Sequence, residues 1–413
     1  MPLVRPFKAL RPAPGRAAEV LAPPYDVLTS EEARARAAGR PWSFLRVSKP
    51  EIDLPPGTDP HSPAVYAKAA ENLARMLEDR VLIRDPAPAY YGYRMTSGDL
   101  VQTGIAVAAS MQAYETNRIR KHELTRPDKE DDRVHHMEAL NAQTGPVLTA
   151  YPAAPELDAL LAAAARGSPD ADAFGADRVR HSVWAIRDSA TIARIGQLFE
   201  AMPALYIADG HHRSAAASRV AAARRKANPR STGEESYERL LLVVFPQREL
   251  RILDYNRLVR DLGGMSLEAF LAKLRDGFAI APSAEPVKPL GHGEFGLYSE
   301  KRWQRLTLRP DLAAPADPMA RLDVSLLTAH ILDPILGIRD MRADRRIDFV
   351  GGGRGLRELE RRVDSGEMAA AFSLYPTSLA DLVAVADAGG VMPPKSTWFE
   401  PKLADGLLSH VLD

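Results

Sequence analysis

Residues 206–226 read YIADGHHRSAAASRVAAARRK: an apolar run, an Asp-Gly step, two adjacent histidines and an arginine that opens an alanine-rich stretch. The alternation in ALYIADG predicts a strand at about 204–208, and LLVVFPQ predicts another at about 240–246, with a helix between them. A strand that turns through glycine into a helix presents N–H groups that have no intrahelical partner, at the positive end of the helix dipole. Such a start is suited to an anion. Gly210 permits close backbone approach, Asp209 can cap the helix or hold Mg²⁺, and Arg213 can add a charge-assisted contact. The competing reading is an ordinary capped helix with surface histidines. A metal shared by His211 and His212 is disfavoured, because consecutive helical residues point about 100° apart and helical ligand pairs use spacings of three or four. His135-His136 has the same defect.

The composition places this segment in an ordinary globular chain. The 413 residues are 46% hydrophobic and 26% charged, and 54 Lys and Arg balance 54 Asp and Glu. Balanced charge gives no support to a nucleic-acid or acidic-membrane partner. With no cysteine, disulfides, thiolate zinc sites and cysteine nucleophiles are absent, which fits a reducing compartment. No stretch has the length and apolarity of a spanning helix, and the proline-rich start MPLVRPFKALRP does not resemble a signal peptide, so a cytoplasmic location is expected. The length predicts more than one structural unit. The pattern suggests an N-terminal α/β region over 1–113, a core over 114–260 and a C-terminal α/β region over 261–413.

Local signals fill in the elements. Thr29 or Ser30 caps a short helix over EEARARAA, and SPAVYAKAAENLARMLEDR (62–80) is amphipathic through Val65, Ala69, Leu73, Met76 and Leu77. A hairpin follows at 88–110, turning at Ser-Gly-Asp. Past residue 265, SLEAFLAKLRDGF and SLADLVAVADAGG read as helices, GEFGLYSEKRWQRLTLR as a hairpin, MAAAFSLYPT as a buried strand, and the chain is expected to end in a loop and a short helix. The alternation of strands and helices makes the fold α/β in the broad, mixed α+β sense.

Three further segments carry candidate chemistry. In RKHELTRPDKEDDR (120–133), Lys121, His122 and Glu123 stand together, followed by Arg133; a carboxylate among cations stays ionised and can accept a hydroxyl proton. A solvated charged helix is the plainer alternative, but the NAQTGPV that follows, with Thr144, has the composition of a binding loop. MPPKSTWFEPKL (392–403) offers Lys395 and Ser396 to a phosphate or carboxylate, without the glycine frame of a Walker A loop. APPYDV (22–27) supplies Tyr25 and Asp26 in a turn, and FVGGGRGLREL (349–359) lacks dinucleotide-binding spacing.

Taken together, PPYDV, KHELT, TGP, DGHHR and MPPKSTWFEPKL resemble a bacterial and archaeal domain-of-unknown-function family, from about Leu21 to the end of the chain. A more distant resemblance is to the ParB/sulfiredoxin-like superfamily, and within it to free serine kinases. It implies a ParB/sulfiredoxin-like core with large insertions and a C-terminal α/β extension. It also implies an enzyme: a small-molecule kinase that uses ATP or ADP with Mg²⁺ to phosphorylate a small hydroxyl metabolite such as free L-serine. Carried over residue by residue, Glu123 becomes the base, and Asp209, Gly210, His211, His212 and Arg213 lie at the nucleotide phosphates, with Asp209 and His211 catalytic and Asp209 holding the metal. Lys395 and Ser396 would join the phosphate site, and Lys121, His122, Arg133 and Thr144 the substrate. About sixty residues separate TGPV from YIADGHHR here, where the small kinases have only a few, so the two halves of the motif set need not align equally well. A nucleotide-binding regulator and a ParB-like DNA clamp without turnover are the alternatives; no helix-turn-helix with a basic recognition helix supports the clamp. The sequence leaves homo-oligomerisation open.

Overall fold

The computed structural model describes residues 1–312 and 316–413 and is a mixed α/β protein with 13 α-helices among those residues. It divides into two units, one formed by Met1–Leu250 with Pro401–Asp413 and the other by Arg251–Glu400. The expected boundary at 113/114 falls inside the first unit, and the last thirteen residues belong to that unit rather than to a C-terminal region.

The first unit is organised on a nine-stranded sheet. Its strands in chain order are β1 (Val4–Arg5), β2 (Tyr90–Ser97), β3 (Leu100–Ser110), β4 (Ile119–Arg120), β5 (Val147–Tyr151), β6 (Ala171–Phe174), β7 (Arg180–Ile186), β8 (Leu205–Asp209) and β9 (Arg239–Pro246). The order across the sheet is β4-β8-β5-β9-β3-β2-β7-β6, with β1 paired to β3. The expected hairpin is β2 and β3, and the expected strand-helix-strand unit is β8, the helix His211–Ala227 and β9. Those two strands are not neighbours: β5 lies between them, antiparallel to β8 and parallel to β9. β9 is buried along its whole length and apolar from Leu240 to Pro246, as a strand covered on both faces should be. Ile105, Val107, Ile207, Leu242, Val244 and the helix residues Ala217 and Val220 share one core.

A second sheet of this unit joins Leu82–Arg84, Ala9–Pro12, Ser409–Val411 and Ala142–Gln143. The chain therefore ends on a strand, where sequence suggested a short helix. Ser409 and His410 pair with Leu10 and Ala9, and His410 and Val411 with Gln143 and Ala142; these long-range partners outweigh a helical preference over only a few residues. The helices α1 (Ser30–Ala37), α2 (Pro63–Glu78), α3 (Pro127–Leu140) and α4 (His211–Ala227) matter most for the site. Thr29 caps α1 in a full capping box with Glu32. In α2 the predicted Val65, Ala69, Leu73 and Met76 are buried, whereas Leu77 is exposed.

The second unit carries a six-stranded sheet that includes the predicted hairpin Glu294–Ser299 and Arg302–Leu308 and the buried strand Ala370–Leu374. The predicted helices appear at Leu267–Leu274 and Leu379–Asp387, each with a serine side chain accepting at its start.

Candidate functional site

Parallel pairing of the short β4 with β8, Ile119 opposite Leu205 and Arg120 opposite Tyr206, carries Lys121, His122 and Glu123 alongside the end of β8. At that end Gly210 adopts φ +103°, a conformation that side-chain-bearing residues rarely take, and turns the chain directly into α4. The first helical bond runs from the Ser214 N–H to Gly210 O, so the amides of His211, His212 and Arg213 have no acceptor within the helix. No side chain caps them.

Charge is concentrated around this turn. Asp209 accepts from Lys402 Nζ at 3.0 Å on one carboxylate oxygen and from Arg213 Nη2 at 2.9 Å on the other. Burial alone would raise the Asp209 carboxyl, but the two cations overcome it and hold the group well below the usual carboxylate range. Arg213 also donates to the Pro146 carbonyl, in the TGP loop. His211 is buried, with Nδ1 3.4 Å from Glu123 Oε2 and its ring edge-on to His122 at 4.4 Å. Burial, reinforced by His122, depresses His211 well below the ordinary histidine value, and burial brings His122 to about 4, so both imidazoles are neutral at pH 7. The Nε2 of His211 is buried and makes no hydrogen bond. Glu123 itself is exposed, on the outer side of that imidazole.

Arg133 lies farther along the same wall. Its guanidinium is bidentate to Asp132 Oδ2 at 2.6 and 2.9 Å and sits 3.9 Å over the Tyr25 ring. Asp132 in turn accepts from Tyr66 at 2.9 Å and lies 3.0 Å from His61 Nδ1. Tyr25, Arg133, Thr144, Gly145, Arg213 and Asp405 enclose one small pocket. The charged run at 120–133 is thus only partly a solvated face, because Asp132, Arg133 and His136 point inward from α3. All of these residues belong to the first unit.

Several expected site residues have other engagements. His212 Nε2 accepts the Arg126 N–H at 3.1 Å and so serves the start of α3, which has no side-chain cap of its own. Replacing His212 by Ala is expected to cost about 1 kcal/mol of stability and to speed amide exchange at Arg126; hydrogen exchange by mass spectrometry measures both. Lys121 places Nζ 4.3 Å from the Tyr114 ring centroid. Lys395 and Ser396 belong to the second unit, where Lys395 Nζ lies 5.7 Å from the Tyr255 ring and Ser396 donates to Pro393 O at 2.6 Å and accepts from Thr377 at 2.9 Å. The cation of the MPPKSTWFEPKL motif that meets Asp209 is Lys402, seven residues on from Lys395. His136 Nε2–H donates to the Val47 carbonyl oxygen at 2.9 Å, and His135 packs on Tyr66.

The donor set does not fit Mg²⁺ held by Asp209. Both carboxylate oxygens are paired with cations, Lys402 on one and Arg213 on the other, and these charges oppose a divalent cation at the same carboxylate. Among the described residues no three His, Asp or Glu side chains converge as a metal set.

Sequence reading missed Lys402 and Asp405. Both stand in PKLADG, where a Lys and an Asp flank two apolar residues, and only the return of 401–413 to the first unit puts them beside DGHHR.

No curated protein matches the chain. Among solved structures, it is similar to a free serine kinase variant in complex with AMP, at 12% identity and a TM-score of 0.36, over 71% of this chain and 87% of the other. It is also similar to a conserved hypothetical protein from Pyrococcus furiosus (13%, 0.35, 73% and 94%) and to C-terminally truncated SbnI from Staphylococcus aureus (10%, 0.37, 73% and 85%). No described helix is long and apolar enough to cross a membrane. The family described as a protein of unknown function, DUF1015, matches residues 4–325, which contain PPYDV, KHELT, TGP and DGHHR, and the chain belongs to that family.

Proposed function

We propose that the chain is a small-molecule phosphotransferase, with the phosphates of ATP or ADP at the start of α4 and Glu123 as the base toward the acceptor hydroxyl. The observation that carries this reading is the meeting of Glu123 and His211 at an uncapped helix start whose first turn also supplies Arg213. Phosphoryl transfer needs little from a protein besides positioning and charge neutralisation. The free amides of His211–Arg213, the guanidinium of Arg213 and the ammonium of Lys402 offer the second, and Asp209 keeps both cations in place. In the step itself, the bond between the terminal phosphoryl group and the nucleotide oxygen breaks and a bond to the acceptor oxygen forms. The acceptor proton passes to Glu123. His211, neutral and buried, can donate Nδ1–H to that carboxylate and orient it.

Free L-serine is the acceptor to test first, in a nucleotide-by-amino-acid screen read by phosphorus NMR. Glu123→Gln is expected to lower turnover at least about 100-fold, the usual contribution of a general base, while nucleotide affinity stays within about threefold. Unchanged turnover in that variant removes the assigned role. Nucleotide binding by the wild-type chain without product from any acceptor would make it a binding protein instead.

A further inference from the structure

A second groove of the first unit shares no lining residue with the pocket at Arg213. It has a volume of about 420 Å³ and runs between the segment Arg5–Lys8, Arg84, the turn Glu234–Ser236 and Arg239 at the start of β9. Four cations (Arg5, Lys8, Arg84 and Arg239) face three carboxylates (Glu234, Glu235 and Asp413).

The carboxylates are already engaged. Glu234 takes the Arg5 guanidinium, and Asp413 takes Arg84 at 2.6 Å. Glu235 accepts from the Thr232 and Gly233 amides at 2.7 and 2.8 Å and from the Ser231 and Thr232 hydroxyls, which close its own turn. His410 is buried within 2.8 Å of Ser236 O, and burial takes it to about 4, so it adds no charge near neutrality.

Arg239 is left over. Its side chain is 4% exposed, its Nη2 reaches Gly233 O only at 3.4 Å, and Glu234 Oε1 is 3.9 Å away. Nη1 has no hydrogen bond. A buried guanidinium without a close carboxylate is costly to the fold unless an anion completes it. Burial, reinforced by Arg5 and only partly offset by Glu238, pulls Arg239 down to about 10. Lys8, at the exposed lip, has no ion pair among the described residues and adds a second uncommitted cation.

We propose that this groove is a second ligand site, for a small phosphate- or carboxylate-bearing molecule whose oxyanion pairs with Arg239 and Lys8. The site is independent of the phosphotransferase reading. Guanidinium recognises both oxyanions by the same forked geometry, so the test uses inorganic phosphate and malonate in separate arms. Each is titrated into the full chain, with calorimetry for affinity and amide hydrogen exchange for location. Slowed exchange over residues 5–8 and 234–241 is expected. Arg239→Met should weaken binding there about tenfold or more, the worth of a charge-assisted bond, and Lys8→Met about two- to fivefold, as for an exposed charge. Lys8 lies on the surface, so its variant keeps the test intact if Arg239→Met does not fold. Binding by one anion alone supports the proposal and fixes the ligand class. Protection confined to 206–214, equal affinity in both variants, or no binding of either anion overturns it.

Discussion

Asp209→Ala is expected to lower the stability of the chain by about 3–5 kcal/mol, the loss associated with removing one member of a buried charge cluster. Asp209 is the shared partner of two cations, half-buried Lys402 through one oxygen and buried Arg213 through the other. Removing the carboxylate takes from both the ammonium and the guanidinium the ion-pair partner they share. If Asp209 acted only as a helix cap, the loss would be about 1 kcal/mol, and the structure already gives the cap position to Gly210. Urea unfolding of the two proteins separates these magnitudes. The pH dependence gives a second check. The folded value of Asp209 lies below its unfolded value, so its contribution is present above the ordinary carboxylate range and is lost only as pH falls through the folded value. The deficit of the variant should therefore be constant between pH 6 and pH 9. Lys402→Met leaves Asp209 with Arg213 and should cost less. A deficit near 1 kcal/mol for Asp209→Ala would mean that the cluster does not hold β8 to the chain end.

What the sequence made legible was local. The apolar period of α2, the Ser-Gly-Asp turn between β2 and β3, and the strand-glycine-helix passage at Asp209 and Gly210 are each dictated by residues within one turn or two strands of each other. The parallel pairing of β4 with β8 brings the tripeptide Lys121, His122 and Glu123, read from its local charge pattern, alongside that turn. The failures have one physical source, which is pairing between residues distant in sequence. Lys395 and Lys402 are indistinguishable by local composition, and only the return of 401–413 to the first unit selects Lys402. His212 looks like His211 in the sequence, yet consecutive helical positions diverge; one ring turns inward against His122 and the other outward to Arg126. The terminal strand Ser409–Val411 is set by its pairing with Ala9–Pro12 and Ala142–Gln143, not by its own three residues. Charge runs mislead for a related reason: Asp132 and Arg133 satisfy each other and can therefore enter the interior, where Tyr25, Tyr66 and His61 complete them.

Asp405 gives the fold a pH-dependent term of opposite sign to that of Asp209. Burial is the main cause that raises its carboxyl to about 7; Arg213 and Arg133 pull it down, and Asp26 pushes it up. The folded state therefore holds a proton that the unfolded chain releases near pH 4. The stabilisation is complete below the unfolded value and is lost as pH rises through about 7, amounting to roughly 4 kcal/mol across that interval. Raw stability curves will not isolate it, because buried His122, His136 and His410 have depressed values and add stability as pH rises over the acid side of the same range. The difference between wild type and Asp405→Asn does isolate it, since the amide mimics the protonated carboxyl in size and donors and cannot ionise. The variant is expected to match the wild type within about 1 kcal/mol at pH 4 and to exceed it by about 2–4 kcal/mol at pH 8.5. The same substitution removes a charge 3.3 Å from where a side chain on Gly145 would begin, beside Arg213. If the site binds anionic phosphates, Asp405→Asn should also flatten the fall in nucleotide affinity between pH 6 and pH 8.5, because a carboxylate ionising in that interval opposes the incoming charge. A stability difference that stays constant from pH 5 to pH 8.5 would show that Asp405 is ionised throughout and held by Arg133 and Arg213 as an ordinary buried partner.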